Sequence, residues 1–275
     1  MSWGLDAVNV SYGNRHALVS VTATVDPGQI TVVVGGDGAG KTTALKTIVG
    51  LVRPNEGSIS CPPKTRIGYV PATAGLYPDL TVRENLAFAA SAFGLSRTTL
   101  DRRIAEILTR VGLAQAIDRL GGHLSGGMQR KLAVAMAIIH EPDLLVLDEP
   151  TTGVDPVSRS ELWRLISGSA AAGSAVFVAT TYVTEAERGT TAVLLEAGEM
   201  LASGSVSDIV KDIPGTLGTM HGSTQPAQLS WRRGIDWRVW VPSGSLPDDV
   251  YPTVPNIEDA AVIAALAAEA RVSAR

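Results

Sequence analysis

The segment "ITVVVGGDGAGKTT" at residues 30–43 constrains this chain more than any other. An apolar, β-branched run from Ile30 to Val34 is followed by four glycines in six residues, then by a stretch with helical spacing. The glycine stretch matches G-x-x-x-x-G-K-[ST] at Gly35, Gly40, Lys41 and Thr42, in the strand, loop, helix context that gives this motif its meaning. Gly35, Gly36, Gly38 and Gly40, with Asp37 and Ala39 between them, let backbone N–H groups curl around a polyphosphate. The helix that follows, entered at Lys41, Thr42 and Thr43, adds the partial positive charge of its N-terminus. Lys41 is expected to reach the β- and γ-phosphates, and the Thr42 hydroxyl to hold Mg2+. A bare turn between strand and helix has no need of Lys-Thr at that point.

Two further segments fit the same chemistry. "LLVLDEP" is an apolar strand that delivers Asp148 and Glu149 at its end, where open α/β sheets bind their ligands. Asp148 suits a Mg2+ partner, held directly or through water, and Glu149 suits a base that polarises an attacking water. "LSGGMQRK" lies one helix earlier, and its Ser125, Gly126 and Gly127 start that helix. A Ser-Gly-Gly start is either an ordinary N-cap or a second anion-binding surface.

Around these motifs the pattern is α/β, with an N-terminal β-layer, a helical insertion and a small C-terminal extension. "WGLDAVNVSYG" and "LVSVTATVDPGQ" read as strands, whereas residues 80–140 carry almost no strand signal. "LLVLDEP", "AVFVATT" and "AVLLEAGEM" then restore the alternation of strand and helix that builds a mostly parallel sheet. The boundaries expected are a main domain over 1–212 with its helical part at about 78–140, a linker over 213–228 and an accessory segment over 229–275. The linker is expected because "PGTLGTMHGSTQPAQ" is rich in Gly, Pro, Ser and Thr. All the motifs precede it, so the main domain is expected to fold without the tail. In that tail, Trp237, Val239 and Val241 alternate with Arg238 and Trp240 as in a two-faced strand. Arg232 and Arg233 read as a solvated face, and an Ala-rich helix starts near Ile257.

Composition removes several classes. A net charge of −4 argues against nucleic acid as a partner. The single cysteine, Cys61, allows no internal disulfide and no cysteine metal cluster. No apolar run reaches the roughly 18 residues that span a bilayer, and Asp6 stands where a signal peptide would be basic and then apolar. A cytoplasmic chain is expected.

Together, "GGDGAGKTT", "LSGGM", "LLVLDEP" and "TTGVDP", in this order and spacing, closely resemble the ATP-binding cassette ATPases that power ABC transporters. The resemblance spans about residues 3–210 and implies a P-loop NTPase cassette that binds ATP with Mg2+. It adds Tyr12 as the aromatic stacked on adenine, Asp155 in "TTGVDP", and Ser125, Gly126 and Gly127 as the signature. In this family two cassettes pair head to tail, the signature of one covering ATP on the phosphate loop of the other. One copy of each motif therefore implies that this chain needs a second ABC ATPase subunit, and a membrane permease through which it sits on the inner face of the cell membrane. "GLYPDLTVREN", "EPTTGVDPVSR", "EAERG" and "VPNIEDA" are most similar to subunits of ABC-2-type exporters.

Two departures stand out. The family's Gly-Tyr-x-Pro-Gln reads "GYVPA" here, with Ala72 in place of the glutamine that couples the site to the membrane subunit. The family's histidine, which contacts the γ-phosphate, is replaced by Thr181, a neutral hydroxyl that cannot change charge near neutral pH. Both losses lie on the chain's own side of its site, while the signature is intact. They imply a slow site and favour a heterodimer over a homodimer. Two rivals remain. A soluble ABC-type ATPase with a role such as ribosome remodelling would have two fused cassettes or a basic arm. A P-loop kinase or GTPase would not carry "LSGGM".

Overall fold

The strand before the phosphate loop is central because every residue in it is apolar or buried. In the computed structural model, which describes residues 2–73, 75–222, 225–226 and 229–273, β1 (Trp3–Tyr12) and β2 (Arg15–Val25) form an antiparallel hairpin. The chain then enters the body as β3 (Ile30–Val34) and leaves through the glycine loop into α1 (Lys41–Ile48). β4 (Glu56–Ser60) returns beside β1, and β5 (Ile67–Val70) becomes the far edge of the sheet.

The helical insertion follows as α2 (Val82–Ala92), α3 (Arg97–Val111) and α4 (Gly126–Ile138). α2 begins on a capping box in which Thr81 accepts from the Glu84 N–H and Glu84 accepts from the Thr81 N–H, satisfying two orphan donors. The sheet resumes with β6 (Leu144–Asp148), α5 (Pro156–Ala171), β7 (Ala175–Thr180), β8 (Thr191–Glu196), β9 (Glu199–Gly204) and α6 (Val206–Lys211). α5 starts on Asp155, with Pro156 in its first turn where the missing N–H costs nothing.

The nine strands order as β4-β1-β2-β9-β8-β3-β7-β6-β5. β8, β3, β7, β6 and β5 pair in parallel and are clothed on both faces. On one face Val32, Val34, Leu145, Leu147, Val176 and Val178 pack against the insertion helices and α5. On the other, Val33, Leu144, Val146 and Phe177 meet Leu45 and Ile48 of α1 and the β1–β2 layer. This alternation along each strand is why near-continuous apolar runs build the middle of the sheet. After β7 the chain turns through Val183–Arg188, a 3-10 helix and not a longer α-helix.

The C-terminal segment departs from expectation in three ways. Residues 213–228, read as a linker, contain β10 (Thr216–Met220), which pairs with both β12 (Asp236–Val241) and β13 (Tyr251–Pro252). With β11 (Ser230–Arg233) these make a second, antiparallel sheet of four strands. Strand β12 is the two-faced strand expected, and it packs: Val239 and Trp240 are both buried, and the Trp240 indole donates to the Pro214 carbonyl. Arg233 is not merely solvated, since it reaches Asp259, itself 1% exposed, at 3.4 Å. Finally, α7 (Ile257–Ser273) is no appendage: Ile257 and Ala260 belong to the principal core cluster, with Ala186 and Ile209. A main domain cut off before this helix would lose part of its own interior. Among the described residues, no helix is long and apolar enough to cross a membrane.

Candidate functional site

The C-terminal ends of β3, β7 and β6 lie side by side, and each delivers one component of the site. Register aligns Val34 with Thr180 and Asp148 with Ala179, so the glycine loop, Thr181 and the acid pair leave neighbouring strands at one level. Backbone bonds tie them there, from the Gly35 N–H to the Thr180 carbonyl and from the Glu149 N–H to the Ala179 carbonyl.

The glycine loop is shaped for a ligand. Gly38 (φ 82°) and Gly40 (φ 105°) are left-handed, and a Cβ on Gly40 would fall 2.7 Å from the Ala17 carbonyl oxygen. A Cβ on Gly36 would meet nothing within 4 Å, so this glycine borders open space. α1 has no side-chain cap and no acid in its first turn, which leaves its first N–H groups to an anion.

Lys41 is 4% exposed. Its ammonium donates to the Gly35 and Gly36 carbonyls at 2.9 and 3.0 Å and stands 3.3 Å from Glu149 Oε1. Glu149 has φ 49°, a conformation that a residue with a Cβ adopts at some cost, and Thr152 donates to its other carboxylate oxygen at 3.1 Å. Asp148 is 1% exposed and its Oδ1 has no hydrogen-bond partner among the described residues. Burial pushes its carboxyl above the usual aspartate range and the Glu149 charge adds to this, while the Thr42 hydroxyl, Lys41 and Lys46 oppose it. A buried, under-partnered carboxylate oxygen beside a threonine hydroxyl is an oxygen donor set for a hard cation, so the residues fit Mg2+.

Tyr12 is 53% exposed and lines a cleft of about 340 Å3 together with Arg15, Ala17, Asp37, Gly38, Ala39, Gly40, Lys41, Thr42, Thr43 and Glu149. The structure therefore brings the aromatic, residues 37–43 of the phosphate loop and Glu149 of the acid pair into a single cleft. Gly35, Gly36, Asp148, Thr181, Ser125, Gly126, Gly127 and Asp155 do not line it. Gly126 borders a separate hollow of about 150 Å3 with Gln129, Arg130, Thr152, Gly153 and Val154. There Ser125 caps α4 by accepting from the Met128 N–H, as an ordinary N-cap does. A Cβ on Gly126 would meet nothing, whereas one on Gly127 would lie 2.7 Å from Ser158 Oγ. One glycine thus faces outward and the other packs on the start of α5, where Asp155 accepts from the Val157 and Ser158 N–H groups.

Residues 18–152 match the protein family described as ABC transporter. The Nod factor export ATP-binding protein I of Burkholderia orbicola is 35% identical over 215 residues, which are 74% of this chain and 71% of that protein. The chain belongs to the ABC transporter family. The probable multidrug ABC transporter ATP-binding protein YbhF of Escherichia coli is 36% identical over 212 residues, 74% of this cassette but only 37% of YbhF. Among solved structures, an ATP binding subunit of an ABC transporter superposes with TM-score 0.70 at 30% identity, covering 77% of this chain and 92% of that one. The bacterial cassette MJ0796, solved as a dimer, gives TM-score 0.67 at 25% identity, covering 74% of this chain and 98% of that one.

Sequence reasoning missed three residues around the cassette's site. Arg15 lines the cleft beside Tyr12, and nothing marks it in sequence except its place after a hairpin turn. Glu185, 3% exposed, accepts from Thr151 at 3.0 Å and from the Trp163 indole at 2.9 Å, bracing the stretch after Glu149. Arg130 grips the loop after β5, a contact between segments 57 to 59 residues apart that no local pattern announces.

Proposed function

We propose that this cassette hydrolyses MgATP in a site shared with a second cassette, and that the pair drives a separate permease of the ABC-2 export type in the cell membrane. The observation that carries this is the separation of the two surfaces: no residue lines both the phosphate cleft and the hollow at Gly126. Each surface is half of a site. The dimeric MJ0796 cassette shows that this fold can pair.

In the cleft, adenine stacks on Tyr12 and the phosphates take the loop N–H groups of residues 36–42. Lys41 turns from Glu149 toward the β- and γ-phosphates. Thr42 and Asp148 would hold Mg2+, which would neutralise charge on the phosphate oxygens. Glu149, released from Lys41, orients a water and accepts its proton as the water oxygen bonds to the γ-phosphorus and the bond to ADP breaks. Asp155 keeps Gly127 and the start of α5 in register for the opposite nucleotide. Thr181 offers one hydroxyl where the family has a histidine, and Ala72 offers no side-chain amide, so this site turns over slowly beside a partner that has both.

A permease has a surface to meet. Tyr77 and Phe88 are 46% and 50% exposed and stack edge to face at 4.7 Å. They flank an apolar groove of about 200 Å3 that includes Pro71, Phe93 and Met136, at the start of the loop carrying Ala72. Exposed aromatics beside a groove mark a contact surface for another protein. The export direction is supported by the relatives named for Nod factor export and multidrug transport.

The deciding experiment purifies the chain alone and with the membrane and cassette chains that accompany it. Low ATPase activity alone, rising with a second, different cassette and depending more on that partner's glutamate than on Glu149, is expected. Full cooperative activity from this chain alone refutes the unequal pair. A Thr181→His variant that leaves a slow rate unchanged refutes the assigned cause.

A further inference from the structure

Arg130 stands on α4, four residues beyond Gly126. Its guanidinium donates to three consecutive carbonyls, those of Pro71, Ala72 and Thr73, at 3.4, 2.6 and 3.2 Å. Those carbonyls meet no other donor among the described residues. The loop they belong to leaves β5 beside the acid pair, because Val70 is in register with Leu147. On its other side Arg130 borders the hollow formed with Gly126, Thr152 and Gly153, and Thr152 is the residue that holds Glu149. Burial pulls the guanidinium below the usual arginine range, and the charges of Glu149 and Asp148 oppose this only in part. One side chain therefore joins the helix that starts at the signature to the loop where the family's glutamine is missing, and lines the same hollow as Thr152, which holds Glu149.

Simple packing does not account for this. A solvated arginine on that helix has no reason to fold back onto three carbonyls, and a guanidinium is the side chain whose rigid fork of donors can hold several acceptors at once. With Ala72 in place of glutamine, position 72 offers no side-chain amide, and the backbone carbonyls of 71–73 held by Arg130 tie this loop to α4.

We propose that Arg130 is a positioning residue that couples docking of this chain's signature on a second cassette to the geometry of Glu149 in its own site. This rests on the shared-site reading above. When the start of α4 is pressed onto the opposite nucleotide, the guanidinium carries the three carbonyls with it, and Thr152 and Glu149 shift on the same wall. Arg130 touches no nucleotide in this scheme.

The test uses the full chain with the cassette that completes it, and compares wild type with Arg130→Ala and Arg130→Lys. Three quantities are measured: MgADP affinity of the chain alone by calorimetry, ATP turnover with its Hill coefficient, and Tm. For Arg130→Ala, affinity is expected to stay within about twofold, turnover at this chain's own site, isolated by replacing the partner's catalytic glutamate with glutamine, to fall roughly 10- to 100-fold as for a misplaced catalytic group, and cooperativity to disappear. Arg130→Lys keeps the charge but not the fork, so it is expected to keep affinity and Tm without recovering cooperativity. A second readout does not need turnover: amide exchange at Ala72 and Thr73 should slow when a Glu149→Gln pair is trapped with ATP, and this slowing should vanish with Arg130→Ala. Affinity, Tm and turnover collapsing together in both variants would make Arg130 a structural residue and overturn the inference, as would an unchanged Hill coefficient. A chain that never pairs removes the shared-site reading as well, which separates the two failures.

Discussion

Before any nucleotide arrives, Lys41 is engaged with the one acid the proposed chemistry needs free. Its ammonium holds two loop carbonyls and lies 3.3 Å from Glu149, with the lysine 4% and the glutamate 19% exposed. To reach a phosphate, Lys41 must leave that carboxylate. Glu149→Gln turns an ion pair into a contact in which only the ammonium is charged, so the nucleotide-free state loses the attraction between the two charges, roughly 1–1.5 kcal/mol of competition. MgADP should then bind about 5- to 10-fold more tightly, at 1.4 kcal/mol per factor of ten. Loss of a negative charge near the phosphates acts in the same direction. ADP is the right probe because neither hydrolysis nor an ATP-trapped pair can contribute to its affinity. Calorimetric titration of the chain alone measures it, and the same variant assayed with its partner should lose about 10²- to 10⁴-fold in turnover at this site. Unchanged or weaker ADP binding would refute the competition.

Three other outcomes follow from buried groups. Asp148→Asn should raise stability without nucleotide by about 1–2 kcal/mol, read as roughly 2–8 °C in Tm, because it neutralises an under-partnered buried carboxylate. Its native pKa is raised, so wild-type stability falls as pH climbs from the aspartate value of 3.8 through the native one. The gain should therefore appear at neutral pH and vanish in acid, while Mg2+-dependent ATP binding is lost in equilibrium titrations. Ile257→Ala should cost about 2–4 kcal/mol, seen as a lower denaturation midpoint of the whole chain, since this tail residue is 1% exposed within the principal core. His140, stacked on Phe93 at 3.5 Å, is pushed by burial from 6.5 down to about 4. Unfolded chains take a proton there first, so stability should drop as pH falls from about 6.5 to 4; His140→Phe should flatten that slope in thermal melts at several pH values.

The parts legible in sequence were those written in contiguous residues. The phosphate loop announces itself because strand, glycines, Lys41 and helix are adjacent, and the acid pair because an apolar strand must end somewhere. The insertion helices were visible through their period, and the alternation of strand and helix pointed to a parallel sheet. The tail was misread because "PGTLGTMHGSTQPAQ" has a linker's composition, yet Gly218 is required where it is: a Cβ there would lie 2.4 Å from Val250. Composition cannot distinguish a glycine that loosens a chain from one that lets a neighbour in. The packing of α7 was equally hidden, since Ile257 and Ala260 look the same in sequence whether their helix stands apart or covers Ala186 and Ile209.

The pattern of what is kept and lost bears on how the pair would work. Ala72 stands in the loop after β5 and Thr181 directly after β7, both outside the lining of the phosphate cleft, and the outward glycine Gly126 with its packed neighbour Gly127 is untouched. A cassette whose own site had no remaining use would have no need to hold Glu149 in a strained backbone, braced by Thr152 and opposed by Lys41. Strain of this kind, about 1–3 kcal/mol, persists only where the surroundings enforce it. The buried Glu185, fixed by Thr151 and Trp163, supplies part of that enforcement from the far side of the same loop. Retained bracing around Glu149, with Ala72 and Thr181 where the family has glutamine and histidine, supports the proposal that this site turns over slowly and still reports nucleotide to its partner through α4.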